Sequence, residues 1–199
     1  LLMFTLTPCA AGCGRSAISG SPVCAIHAAD KEKEAQRIAA YIMERENIKD
    51  LNASGLDFGD MDFSNRRFFG CNFYGAAFST CNFSNAFMRM CFFDFSSFSE
   101  CNFSQSDLQF LSFAGSVIQD CTFEGSELLH INYGGTIITD CCFNNSNLYN
   151  SRFINAEMAC VDFIDCNVKK TYFLKVKQEG VSFKASNTAE AVFELEEGV

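Results

Sequence analysis

A strict five-residue period of apolar side chains constrains this chain more than any other feature. Every fifth residue from Phe58 to Phe173 is apolar, which gives a column of 24 members. An α-helix cannot keep such a period on one face, because its 3.6 residues per turn spread the column around the whole surface. A single strand would send alternate members to opposite faces. The period therefore predicts a solenoid in which each unit buries its apolar residue against stacked neighbours.

The repeat unit also has a characteristic composition. The residue two positions before each column member is small or apolar, and the unit often reads Cys-Asn-Phe, as it does from Cys71, Cys81 and Cys101. This pattern resembles the pentapeptide-repeat family over roughly the middle three-fifths of the chain. The resemblance implies an all-β solenoid, namely a right-handed quadrilateral β-helix of about six coils. Four pentapeptides would form each square coil, with the column residue and the residue two before it pointing inward.

A 20-residue coil sorts the column by residue type. One face carries only Phe, at positions 63, 83, 103, 123, 143 and 163. The opposite face carries Phe or Tyr at positions 73, 93, 113, 133, 153 and 173, whereas the other two faces become aliphatic after the first coils. This sorting favours a narrow square core in which aromatic columns face each other.

We divide the chain into an N-terminal segment 1–29, a capping helix 30–50, the β-helix 51–175, and a C-terminal cap and tail 176–199. Asp30 is the expected N-cap of the helix, whose apolar stripe would cover the open end of the first coil. A membrane or partner helix is the alternative. The repeat weakens where Gln178 takes a column position. A short helix is predicted within 187–195, and the resemblance to the fluoroquinolone-resistance branch implies a homodimer contact there, through Val192, Phe193 and Leu195.

The N-terminal segment carries a candidate zinc site formed by Cys9, Cys13, Cys24 and His27. The Cys-x3-Cys and Cys-x2-His spacings fall within those of structural zinc sites, and four protein ligands leave no open position for catalysis. Loose thiols in a disordered leader are one alternative. A lipoprotein signal is another, because Ala10 to Cys13 resembles a lipidation box, although no basic n-region precedes it.

Seven other cysteines occupy inward positions of the repeat and are interpreted as reduced core residues, at positions 71, 81, 91, 101, 121, 141 and 166. Reduced thiols favour a cytoplasmic location. No apolar run approaches the roughly 20 residues of a membrane helix, so no membrane is expected as a partner. The chain also lacks a phosphate-binding loop and a nucleophile–base pair, so we predict that it is not an enzyme.

The net charge of −9 argues against direct nucleic-acid binding through a basic patch. One predicted corner of the solenoid forms an acidic column of Asp60, Glu100, Asp120 and Asp140. Some members of the resembled family mimic DNA and occupy the DNA groove of type II topoisomerases, so the resemblance makes DNA gyrase a possible partner. The shaft lacks the insertion loops that help fluoroquinolone-resistance members act on gyrase.

An apolar contact patch is predicted on the opposite side of the shaft, at outward positions that elsewhere hold polar residues. Its members are Phe69, Phe87, Met90, Phe92, Phe95 and Phe110. The N-terminal arm 1–29, a second copy of the chain or a foreign protein would cover it. The favoured function is therefore a non-enzymatic protein-interaction scaffold with an unknown partner, and the alternative is a DNA-mimicking modulator of DNA gyrase.

Overall fold

The computed structural model describes residues 6–193. One α-helix, α1 (Lys31–Met43), precedes the strands, and one 3-10 turn (Thr188–Glu190) follows them in the described range. The strands are β1 (Asn47–Lys49), β2 (Asp57–Gly59), β3 (Arg67–Phe69), β4 (Ala77–Ser79), β5 (Phe87–Arg89), β6 (Ser97–Ser99), β7 (Asp107–Gln109), β8 (Val117–Gln119), β9 (Glu127–Leu129), β10 (Ile137–Cys142), β11 (Glu157–Asp162) and β12 (Lys177–Glu179).

The strands stack in parallel, and each residue pairs with the residue 20 positions later. One sheet runs β1-β3-β5-β7-β9 and the other runs β12-β11-β10-β8-β6-β4-β2. The two remaining faces are held by single bridges with the same offset, such as Asn82↔Asn102 and Asn132↔Arg152. The fold is the predicted right-handed quadrilateral β-helix, and it has about seven turns.

The solenoid is longer than the predicted six coils because pairing starts earlier and ends later than the Phe-rich column. Ile48 of β1 is fully buried and pairs with Phe68. At the other end, β12 still pairs with β11 although Gln178 at its centre is exposed. Backbone pairing therefore continues for a turn beyond the last buried column residue, Phe173.

Stacked aromatic rings fill the core. The ring of Phe103 lies 4.7 Å from that of Phe83 and 4.8 Å from that of Phe123, with interplanar angles of 4° and 3°. Across the core, Phe103 meets Phe113 edge-on, with a centroid distance of 6.4 Å and an angle of 89°. Offset stacking along a column and edge contacts between columns are both favourable aromatic geometries, so the two arrangements fix the register of successive coils.

The corners of the coil adopt a left-handed backbone. Twenty-one residues other than glycine have φ between 51° and 62°, and they fall at five-residue intervals along the chain. Asn and Asp tolerate this conformation best among non-glycine residues, and many corners use them. Met90, Phe95 and Phe110 also occupy such corners, with φ of 53°, 56° and 56°.

Helix α1 is shorter than the predicted 30–50 segment. The Asp30 side chain accepts a 2.9 Å hydrogen bond from the Lys33 N–H, and the helix buries Ala35, Ile38, Ala39 and Ile42 against the first coils. It ends at Met43 because Ile48 already belongs to the five-residue register and pairs with β3. Within residues 6–193 no helix is long and apolar enough to span a membrane.

The C-terminal cap contains one 3-10 turn in place of the helix predicted within 187–195. Val192 still pairs with Tyr172, and the ring of Phe193 stacks 5.2 Å from that of Phe173. The predicted dimer residue Leu195 lies outside the described residues.

Candidate metal centre and interaction surfaces

The knuckle, residues 6–28, begins with a tight turn that brings two thiols together. An antiparallel bridge joins Pro8 to Ser16, and the Cys9 N–H donates to the Arg15 carbonyl at 2.9 Å. The chain reverses through Gly12 and Gly14, whose φ values of 68° and 77° are left-handed. Glycine adopts these values without steric cost, so this turn positions the Cys9 and Cys13 side chains on one side.

A helical turn brings the other two candidate ligands to the same place. The His27 N–H donates to the Cys24 carbonyl at 3.0 Å. His27 Nδ1 then lies 3.4 Å from Cys24 Sγ and 3.6 Å from Cys9 Sγ, while Cys13 Sγ lies 3.7 Å from Cys24 Sγ. The ligand atoms of all four predicted residues lie within 4.8 Å of one another.

These separations match the edges of a zinc tetrahedron. With Zn–S bonds of about 2.3 Å and Zn–N bonds of about 2.0 Å, tetrahedral geometry gives S···S edges of about 3.8 Å and S···N edges of about 3.5 Å. Cys9 and Cys24 are buried, Cys13 is half-buried, and the His27 side chain is exposed. The donor set is therefore compatible with a metal ion, and its four protein ligands would close the coordination sphere.

The electrostatics of the thiols differ within the cluster. A hydrogen bond from the Arg15 backbone lowers the pKa of Cys13 to about 6, whereas burial raises the pKa of Cys24. A buried thiol that is costly to ionise on its own becomes a thiolate when a metal ion supplies the compensating charge.

The knuckle is docked on the end of the solenoid through Asn52. This buried side chain donates from Nδ2 to the Ala17 carbonyl at 2.6 Å, and its backbone N–H donates to Ser19 Oγ at 2.8 Å. Ile18 and Ala25 join the core, and a Cβ built on Gly55 would come within 3.2 Å of the Ala25 Cβ. The knuckle therefore packs with α1 as part of the cap on the first coil.

The acidic column lies along one corner, as the 20-residue coil predicts. Thr80 separates Asp60 from the others, and its hydroxyl donates to the Asp60 carboxylate. Glu100, Asp120 and Asp140 line a shallow groove. No Lys or Arg occurs between Arg89 and Arg152, whereas seven carboxylates do. The middle coils are therefore the most acidic part of the shaft.

The structure divides the predicted apolar patch into two surfaces. The first is the aromatic ridge, which we define as Tyr74, Met90, Phe92, Phe95 and Phe110. Phe95 is 63% exposed and Phe110 is 54% exposed. The Phe95 ring lies 5.5 Å from that of Tyr74 and covers Gly115, where any Cβ would come within 2.7 Å of it.

The N-terminal arm reaches only the edge of this ridge. Leu6 shares a small pocket with Tyr74 and Phe92. No residue from 6 to 29 covers the rings of Phe95 and Phe110, which keep their large exposed fractions. The arm is one of the three covers considered for the patch, but its described part packs at the end of the shaft because Asn52 and Gly55 anchor it there.

The second surface lies around the corner, on the sheet that contains β3 and β5. Phe69 and Phe87 are in contact, with a centroid distance of 5.5 Å. The guanidinium groups of Arg67 and Arg89 lie 4.1 and 3.7 Å from the Phe87 centroid, so this ring is sandwiched between two cations. Apolar residue type alone groups Phe69 and Phe87 with the ridge, whereas the cations beside them set this surface apart.

His130 lies one coil after Phe110 and is half-buried. Its ring stacks on Phe110 with a centroid distance of 4.7 Å, and Asn150 Nδ2 lies 2.7 Å from His130 Nδ1. The 20-residue register brings these three side chains into one column. That column continues the ridge towards the C-terminal end.

Comparisons with known proteins follow the same repeat. Residues 116–193 match a family model described as a pentapeptide repeat region, and residues 96–128 match one described as pentapeptide repeats (8 copies). No curated protein gives a significant match.

Several solved structures are similar to parts of the chain. Rfr23 from the cyanobacterium Cyanothece 51142 is 16% identical with a TM-score of 0.45, and the match covers 47% of this chain and 64% of that one. HetL, a protein involved in heterocyst differentiation regulation from Nostoc sp. strain PCC 7120, is 8% identical with a TM-score of 0.33, and the match covers 79% of this chain and 95% of that one. QnrB1, a plasmid-mediated fluoroquinolone resistance protein, is 18% identical with a TM-score of 0.38, and the match covers 74% of this chain and 75% of that one.

The two matches together span residues 96–193, and the 20-residue register of four-sided coils runs unbroken through them. Residues 96–193 are a pentapeptide-repeat region.

Proposed function

We propose that this protein is a non-enzymatic scaffold that binds a protein partner through the aromatic ridge. The observation that carries the proposal is the exposure of the Phe95 and Phe110 rings at left-handed corners of the coil. Large exposed aromatic groups are frequent at the centres of protein interfaces and unfavourable in water. A thiol-lined core suits a reducing compartment, so the cytoplasm is the proposed location.

Backbone conformation strengthens this argument. The left-handed region costs a residue with a Cβ about 1–2 kcal/mol, and Gly, Asn and Asp are the residues that reduce the cost. Most other corners carry polar residues or Gly, as at Gly115 and Asn155. Phe95 and Phe110 therefore place an exposed aromatic ring at corners where Gly, Asn or Asp would cost less.

The proposed role of the knuckle is to hold a rigid extension of this surface. Ile26 is 66% exposed, and it lines a cleft with Arg15, Gly55 and Tyr74 between the knuckle and the shaft. A structural zinc ion bound by Cys9, Cys13, Cys24 and His27 would fix Ile26 relative to the ridge. The support for zinc is the tetrahedral fit of the four ligand atoms.

The scaffold proposal is tested by comparing captured proteins between variants. Phe95→Asn/Phe110→Asn removes both rings and leaves residues that tolerate the corner, so its thermal stability should match or exceed that of the parent protein. Gln105→Asn/Lys175→Asn is the matched control, because it changes two left-handed corners without aromatic rings.

The parent and the control should retain the same protein from native lysate, and the ridge variant should lose it. Equal retention by the ridge variant, or no specific retention by the parent protein, would contradict the scaffold proposal.

Zinc is tested by elemental analysis of protein purified without chelators. About one zinc ion per chain is expected, and Cys24→Ser should abolish binding. Cys160→Ser is the control, because Cys160 is exposed and is not one of the clustered ligands. A zinc-free parent protein would remove this part of the proposal and leave the ridge proposal unaffected.

A second candidate function is modulation of DNA gyrase by DNA mimicry, favoured by the run of carboxylates on the middle coils. Glu100, Asp120 and Asp140 follow one corner at the inter-coil spacing of about 4.8 Å. A supercoiling assay tests this candidate. Inhibition that Asp120→Lys/Asp140→Lys abolishes would support it, and absence of inhibition by the parent protein would exclude it.

A further inference from the structure

We propose that two copies of this chain form an antiparallel, two-fold symmetric dimer through the face of the sheet β1-β3-β5-β7-β9. We call this surface the dimer face. It lies beside the aromatic ridge, across the corner that carries Met90 and Phe110. The proposal deepens the scaffold function by adding a second copy as a partner, and its test uses residues outside the ridge.

Charge along the dimer face is polarised from one end to the other. The outward side chains of β1, β3 and β5 include Lys49, Arg67 and Arg89. Those of β7 and β9 include Asp107 and Glu127. Cations therefore occupy the N-terminal half of the face and carboxylates occupy the C-terminal half.

The ends of this gradient lack ion-pair partners within the described chain. Arg89 Nη2 pairs with Asp107 Oδ2 at 2.7 Å in the middle of the face. Arg67 and Lys49 contact aromatic rings, and Glu127 accepts a 2.8 Å hydrogen bond from Asn147, but none of the three forms a salt bridge in residues 6–193. Two cations are therefore available on the N-terminal side of the central pair, and one carboxylate is available on its C-terminal side.

Two dyad directions can place this face against itself, and the charges discriminate between them. A dyad parallel to the shaft sets each coil opposite the same coil of the second copy. Arg67 then lies near Arg67 of the second copy, and Glu127 lies near Glu127 of the second copy. Like charges placed opposite each other are destabilising. A dyad along the strands, between β5 and β7, reverses the coil order and brings opposite charges together.

The second dyad also matches side-chain type along both outward rows. With this axis, β3 of one copy faces β9 of the other. Arg67 therefore lies opposite Glu127 of the second copy, and Phe69 lies opposite its Leu129. Lys49 then faces the ring of Tyr149, a cation–π arrangement that Lys49 already makes with Phe69 at 5.9 Å. At the dyad, the two Arg89–Asp107 pairs lie side by side. Every contact between the copies occurs twice, because the interface is isologous.

The size of the face sets the expected affinity. Six stacked coils span about 29 Å, so the interface is at the lower end of specific interfaces and the dimer should be concentration-dependent. Exposed ion pairs are screened by salt, so added salt should shift the equilibrium towards the monomer.

A charge-swap cycle followed by sedimentation equilibrium tests the proposal with the full chain. Arg67→Glu and Glu127→Arg should each raise the dimer dissociation constant by at least about tenfold, because each change creates two repulsive contacts per dimer. The double variant Arg67→Glu/Glu127→Arg should restore dimerisation, since it exchanges the two signs. These positions point outward, so circular dichroism should report an unchanged fold.

The matched controls change charge equally on other faces of the shaft. Arg152→Glu and Glu124→Arg should leave the dissociation constant within about twofold of the parent value. A monomeric parent protein up to about 500 μM would overturn the proposal, as would single variants that behave like the controls or a double variant that fails to recover dimerisation.

Small-angle X-ray scattering supplies an independent readout of geometry. The proposed side-by-side dimer should retain nearly the maximum dimension of the monomer and gain thickness. An end-to-end dimer would nearly double the length and would overturn the proposal. Phe95→Asn/Phe110→Asn should leave this dimer intact, so failure of the ridge proposal and failure of the dimer proposal are distinguishable.

Discussion

The shaft and the knuckle are ordered in different ways, although they pack against each other. In the shaft, every coil repeats the contacts of its neighbours, so buried rings such as Phe83, Phe103 and Phe123 stack at nearly constant spacing. In the knuckle, only a few apolar side chains are buried, and hydrogen bonds within the knuckle and to Asn52 hold it in place. Repetition stabilises the first region, whereas the second relies on individual hydrogen bonds and, in the proposal above, on a bound zinc ion.

The comparison is tested most strongly by opening a cavity in the shaft. Phe103 is fully buried between two stacked rings, so Phe103→Ala should lower the free energy of unfolding by about 3–5 kcal/mol. The exposed ring of Phe95 provides the matched control, and Phe95→Ala should cost less than about 1 kcal/mol. Denaturant titration measures both, and a loss below about 1 kcal/mol for Phe103→Ala would contradict the buried column.

A smaller loss is expected where the two regions meet. Asn52→Ala removes the bonds from Asn52 Nδ2 to the Ala17 carbonyl and from Asn72 to Asn52 Oδ1. The buried carbonyl loses its donor, so the cost should be about 1–3 kcal/mol. Limited proteolysis should also show faster cleavage before residue 30. Asn132→Ala is the control, because Asn132 occupies the same coil position four coils later, is exposed and has no left-handed backbone. Equal proteolysis of the two variants would show that Asn52 does not anchor the knuckle.

The smallest expected change sharpens the account of the aromatic core. The Tyr133 hydroxyl is buried without a hydrogen-bond partner in the described residues, and burial strongly raises its pKa. Tyr133→Phe should therefore stabilise the shaft by about 1 kcal/mol. Phe113→Tyr adds a hydroxyl to the same column and should destabilise it. A destabilised Tyr133→Phe variant in thermal unfolding would show that the hydroxyl has a partner.

The sequence predicted the shaft well because its information is local and repeated. Each column residue from Phe58 to Phe173 identifies its own inward position, and the 20-residue coil then follows from residue type. Ile48 lies in the same five-residue register and could have indicated the extra coil. The next register position, Ala53, is small, and the predicted helix extended through residue 50, so the coil was not predicted. Exposed Gln178 gave no signal that backbone pairing continues through β12.

The candidate sites were predictable only in part. Ligand spacing identified the four residues that the structure brings together at Cys9, Cys13, Cys24 and His27, because short turns set those distances. The anchoring role of Asn52 had no sequence signal, since its partners Ala17 and Ser19 lie in a segment without a period. The cation-stacked ring of Phe87 depends on side chains from neighbouring coils, and a count of apolar residues cannot show it.

We propose that a metal-held knuckle caps a shaft whose own order does not depend on the metal. Hydrogen–deuterium exchange before and after chelation tests it most directly, because the amides of Cys9, Ala17 and Ile18 are bonded within the knuckle while those of β5 to β9 belong to the shaft. Chelation should remove protection from residues 6–28 and leave the shaft strands protected. Unchanged exchange in the knuckle, or loss of protection along the whole shaft, would contradict the account.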